Sequence, residues 1–187
     1  MSIRNSKSFL LTFWYRPAYS TRQLLIFHQG HISAMLVAAV MGMVQFSRLL
    51  PVPSENLWVH LLLYGFGGIV GLFLFGWLVC NFGRWFGAEA EQRAVRTALG
   101  LGILPWTIIF GILLLMLNLG FDPESIAEKY FPFVLGAFIY GFCILLLSLT
   151  VALRLSIIRT FLCMVFTCLL SFFPLTLLAQ FLSEYLN

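Results

Sequence analysis

Long uncharged apolar runs separated by short polar breaks dominate the pattern along the chain. Runs of this length, at one apolar residue after another rather than at core periodicity, predict helices that cross a bilayer. Five are expected, over about 31–50, 57–80, 97–120, 131–153 and 160–182. Pro51-Val52-Pro53 ends the first, and Arg154 to Arg159 form a short basic turn between the last two. Pro105 falls inside the third and predicts a kink there, and Pro174 falls inside the fifth. Asp122-Pro123-Glu124 reads as a helix N-cap, first-turn proline and early acid, so a short surface helix is expected before the fourth run. The fold class predicted is all-α, a polytopic bundle of five transmembrane helices with short interfacial helices. Two parts follow, a cytoplasmic tail and interfacial helix over 1–30 and the membrane domain over 31–187.

The tail carries Arg4, Lys7, Arg16 and Arg22 and no acid. Its piece FLLTFWY, residues 9–15, is too short to span and reads as interfacial. From Tyr19 onward, Leu24, Leu25 and Phe27 lie among Arg22, Gln23 and His28, which suits a helix lying at the membrane surface. The segment 80–110 differs from the other connections. Gly83-Arg84-Trp85-Phe86-Gly87 opens it, and an alanine-rich run with Glu89, Glu91, Arg93 and Arg96 follows. Glu89 and Arg93 are placed to pair at i, i+4 on a surface helix. Arg84, Trp85, Arg93 and Arg96 are the candidate partner-binding or lipid-binding residues. Gly67 and Gly71, a small-xxx-small pair, and Pro105 are the candidate helix-packing positions.

Composition narrows the class. Among 187 residues, 61% are hydrophobic and 10% charged, where soluble domains carry about a quarter charged. The net charge of +4 points to topology and lipid headgroups rather than nucleic acid, because the basic residues flank apolar runs. Counted by side, Arg4, Lys7, Arg16, Arg22, Arg84, Arg93, Arg96, Arg154 and Arg159 face Arg48 and Lys129. That nine-to-two asymmetry places the N-terminus in the cytoplasm and the C-terminus outside.

Chemistry is sparse. No Asp, Glu, Lys or Arg lies in the middle of a predicted span, which argues against proton relays and ion-coupled transport. No H-E-x-x-H, G-x-S-x-G or P-loop pattern occurs. The four cysteines lack metal-site spacing, so no zinc site or disulfide framework is expected. His28 and His31, at i, i+3, have the spacing of two metal ligands, but Gly30 between them and the lack of a nearby carboxylate favour headgroup-level rings. No catalytic residue, metal or cofactor is assigned, and the chain is expected not to be an enzyme.

Phe13-Trp14-Tyr15-Arg16-Pro17 with Thr21-Arg22, the Gly83 to Gly87 linker, and Ala98 through Leu104-Pro105 together resemble the Yip (Ypt-interacting protein) domain family in its bacterial form. The resemblance covers roughly 10–180. It implies a multi-pass protein of a bacterial inner membrane, with five helices and a cytoplasmic N-terminus, acting as an accessory or scaffold in membrane organisation or trafficking. Its partners would be the bilayer and another membrane protein or itself. The 1–30 tail does not match the long N-terminal region of GTPase-binding members, so GTPase binding is not expected of it. A small transporter or channel for an uncharged or lipid-like substrate is the alternative, with the glycine-rich second span and the proline-broken third and fifth as a path.

Overall fold

The computed structural model describes residues 12–27, 30–49 and 56–186, with the side chains at 46, 48–49, 125–127 and 172–186 left aside. His28, the Pro51-Val52-Pro53 stop, the start of the 9–15 piece and the side chains of Pro174 and Arg48 lie outside the described residues. Within them the chain is all helix and turn, with no strand. A helical turn at 12–15 precedes α1 (Pro17–Ile26), α2 (His31–Leu49), α3 (Leu57–Trp85), α4 (Gln92–Gly102), α5 (Leu104–Asn118), α6 (Pro123–Leu153) and α7 (Ile157–Leu186).

Three helical runs are long and apolar enough to cross a membrane: Leu57–Trp85, Gln92–Asn118 and Glu128–Leu153. His31–Gln45 and Ile157–Ser171 are shorter apolar helices. All five fall on the apolar runs of the sequence. Leu62, Phe66, Trp77, Phe133 and Ile139 are among many large apolar side chains left exposed. Faces that broad would associate in water and suit lipid. By hydropathy the fold is that of a multi-pass membrane protein.

The ends and breaks follow from glycine and proline. α3 closes in a Schellman motif: the Ala88 N–H donates to the Gly83 carbonyl at 2.9 Å and the Gly87 N–H to Arg84 at 3.0 Å. Gly87 sits at φ 85, where a side chain would be strained. The third apolar run breaks at Ile103, two residues ahead of Pro105, which occupies the first turn of α5. Pro105 has no N–H to offer the Leu101 carbonyl, so the chain divides into α4 and α5 there. The helix expected after Asp122 is continuous with α6 through Pro132.

α4 is central. Val95 and Ala98 are fully buried, and the helix packs on α2, α3 and α6. Glycines bring backbones together around it. A Cβ on Gly100 would meet Ala34 Cβ at 2.6 Å, and one on Gly102 would meet Leu145 Cα at 3.0 Å. The α2–α3 crossing rests on Gly42 and Gly68, since a Cβ on Gly42 would stand 2.7 Å from Gly68 Cα. Gly71 faces open space instead. The close approach therefore falls one residue past Gly67, on the face turned to α2. Pro105 packs: it is fully buried and lies against Gly141 of α6.

α1 differs from the surface helix expected. It buries Pro17, Ser20, Thr21 and Leu24 and packs along α6. The Thr21 hydroxyl donates to Ser148 Oγ at 3.2 Å. Further back, the Tyr140 hydroxyl donates to the Trp14 carbonyl, and the two rings stack with centroids 6.0 Å apart. Residues 14 and 21 thus meet 140 and 148 in parallel register. Arg16 lies between those contacts and is exposed.

Candidate functional site

After the α3 Schellman turn the chain does not start a helix at once. Residues 88–91 are non-helical, Glu91 stands as the N-cap of α4 with extended backbone (ψ 134), and the helix begins at Gln92. Glu89 therefore does not share a helix with Arg93, and the expected i, i+4 pair is absent. α4 is strongly amphipathic, with Val95 and 97–102 buried and Gln92 and Arg93 outside. This turns the linker's charges to one end of the bundle.

There a cavity of about 740 Å³ opens between α1, the 88–91 linker, α4 and the end of α6. Arg22, Arg93 and Arg154 line it, together with Glu89 and Glu91. Its remaining wall is mainly apolar and includes Leu24, Leu25, Val151 and Leu155. All five charged residues are exposed. Among the described residues no guanidinium–carboxylate pair closes to within 4.0 Å. The nearby hydroxyls of Thr97 and Thr150 donate to the Arg93 and Leu146 carbonyls of their own helices, at 2.9 and 2.8 Å. The polar capacity left in the cavity is thus carried by the charged heads.

Arg154 has φ 55, the one non-glycine residue with positive φ among those described. It follows the last residue of α6, where glycine is the usual occupant, and a side chain there costs about 1 kcal/mol. An arginine held in that conformation in a cavity lining is the kind of outlier that accompanies function.

The four predicted binding residues part company. Arg93 lines the cavity. Arg84 and Trp85 are exposed on the last turn of α3, outside it, with Arg84 favourably placed against the helix C-terminus and the Trp85 ring edge-on to Phe82 at 5.1 Å. Arg96 turns towards α3: its guanidinium stands 4.3 Å from the centre of the Phe73 ring. A Cβ on Gly76 would meet Arg96 Cγ at 2.5 Å, so glycine there makes room for the arginine stem. His31 also meets Phe73, edge-on at 6.4 Å, and its Nδ1 is buried without a partner. Among the described residues no three His, Cys, Asp or Glu side chains converge as metal ligands.

Arg22, Arg154, Glu89 and Glu91 were not singled out as a group by the sequence. A signal was there: alternation of apolar runs puts the end of α1, the linker and the α6–α7 turn on the same side of a membrane. It does not say that they enclose a space. No family model, curated protein or solved structure matches the chain.

Proposed function

We propose that the chain is a five-span integral membrane protein of the Yip type, without enzymatic activity, that serves as an accessory or scaffold for another membrane complex or for membrane organisation. Its setting is the cytoplasmic membrane of a bacterium, with the end bearing Arg22, Arg93 and Arg154 towards the cytoplasm. One observation carries the reading: the charged linker after α3 is folded over α1 and α6, so basic residues far apart in sequence form one built face. The Lys and Arg asymmetry supports the orientation. Glycines of the second span that suited a solute path, Gly65 and Gly68, are occupied by contacts with α2, which favours a packed bundle over a channel.

Mild purification from native membranes followed by mass spectrometry tests this. The expected result is a stoichiometric membrane partner, weakened when Arg84 and Arg93 are changed to Gln. Protein that purifies alone and passes a defined solute in liposomes would overturn it in favour of a transporter.

A further inference from the structure

The cavity at the charged end has a lining of mixed sign. Three guanidiniums and two carboxylates leave a single net positive charge. A surface meant only to hold the chain against anionic lipid gains nothing from Glu89 and Glu91, which oppose that attraction. Guanidiniums suit phosphate oxygens, to which they donate in pairs. Carboxylates are acceptors and suit a donor that is itself cationic. One ligand carries both groups a few bonds apart: a phosphodiester esterified to a primary ammonium alcohol.

We propose that this cavity binds the headgroup of an aminophospholipid, with phosphate at Arg22, Arg93 and Arg154 and the ammonium at Glu89 and Glu91. The proposal rests on the multi-pass membrane reading, which brings the cavity to headgroup level, and gives that basic face a defined occupant. The volume lies within the range of small-ligand sites. Beside the charged heads the wall is apolar at Leu24, Val151 and Leu155, a mixed lining that suits a charged headgroup carried on a lipid. Free charged heads are available, since no ion pair consumes them among the described residues. Arg154 adds an independent observation: its left-handed backbone would be easier for glycine, yet an arginine stands there and faces the cavity.

That backbone also supplies the test. Arg154→Gly removes the guanidinium while easing the backbone, so binding and folding separate in one variant. The full chain in detergent is titrated with short-chain phosphatidylethanolamine, phosphatidylglycerol and phosphatidylcholine, and with soluble phosphoethanolamine, reading thermal shift and native mass spectra. The ethanolamine lipid is expected to bind about tenfold more tightly than the other two lipids, the scale of one charge-assisted hydrogen bond. Choline fails because its quaternary ammonium has no N–H to donate. Arg154→Gly should lower that affinity about tenfold with unliganded thermal stability equal or higher, and Arg22→Gln should lower it without the backbone change. Glu89→Gln with Glu91→Gln should abolish the preference over glycerol.

Equal binding of the three lipids, or tighter binding of the glycerol lipid, overturns the proposal. Soluble phosphoethanolamine binding as well as the lipid would make the ligand a free phosphate ester and overturn the lipid assignment. Extraction of membranes with carbonate separates the two levels. Protein released by carbonate ends the membrane reading itself, whereas protein retained without headgroup discrimination ends only this inference.

Discussion

Gly68 and Gly71 lie three residues apart on α3 and look alike in sequence, yet they face different surroundings. A Cβ on Gly68 would run into the Ala38 carbonyl and stand 2.9 Å from Gly42 Cα, while one on Gly71 meets nothing within 4 Å. Backbone cannot yield as a flexible side chain does, so Gly68→Ala must push α2 and α3 apart. Overpacking of this kind costs about 1–3 kcal/mol. At roughly 2–4 °C per kcal/mol for a chain of this size, the melting temperature in detergent should fall by about 5 °C. Gly71→Ala should leave it unchanged or slightly raised, because alanine is the better helix former. Equal losses from the two variants would show that α2 does not cross α3 at Gly68. Trp106 makes a similar local point between α5 and α6. Its indole N–H donates to the Phe138 carbonyl at 3.1 Å and its ring stacks on Phe138 at 5.0 Å, an arrangement that depends on the missing side chain at Gly141.

At the scale of elements, hydroxyls join large apolar residues in docking α1 along α6, where Phe13 and Leu24 share a buried cluster with Ile144. Thr21 donates to Ser148 in a site closed to solvent, and Ser20 is buried beside it on the same helix. Interhelical bonds of this type contribute about 0.6 kcal/mol in membrane proteins. A thermodynamic cycle of Thr21→Val, Ser148→Ala and the double variant, read by unfolding in detergent, should give a coupling of that order. Strict additivity would mean that the two hydroxyls do not meet. The same contact explains why the sequence read α1 as a surface helix. Hydropathy counts Ser20, Thr21 and Pro17 as water-facing, but between helices hydroxyls can satisfy each other, and the buried stripe at 17, 20, 21 and 24 is one helix face. The five apolar runs were legible because uncharged length leaves few alternatives to a helix in lipid. Pro105 announced the break in the third run, though its effect falls at Ile103, because the ring leaves the Leu101 carbonyl without its donor. The start of α4 was not legible: alanines from Ala88 onward favour helix, but Gly87 closes α3 in a Schellman turn and the chain crosses to α4 through 88–91. The candidate site was half visible for the same reason. Arg93 could be picked from its own segment, whereas Arg22 and Arg154 become its neighbours only through tertiary packing.

At the scale of the molecule, charge and depth are linked through α6. Its C-terminal end meets the cavity with Arg22, Arg93 and Arg154, and its N-terminal end carries Asp122, Glu124, Glu128 and Lys129. A Lys and Arg excess of this kind marks the cytoplasmic side. Single cysteines in a chain whose four native cysteines are replaced can check both orientation and crossing with a membrane-impermeant maleimide. Ser156→Cys and Glu124→Cys are both at exposed positions and are separated by α6 alone. Label should reach 156 only from the cytoplasmic side and 124 only from the other. Label reaching both from one side would mean that α6 does not cross. Tyr15→Cys asks about α1. Trp14 beside it meets Tyr140, and at about 1.5 Å per residue that contact lies roughly 20 Å back from Leu153 along α6. Although Tyr15 is 86% exposed, a cysteine at that depth faces hydrocarbon and should resist the reagent from either side, while Ile26→Cys near the cavity should react. A reactive cysteine at 15 would place the segment at the surface and return α1 to the role that hydropathy alone assigned it. An unreactive one would mean that the chain enters the membrane layer before its first long apolar helix begins, and that the cavity is built where this segment emerges.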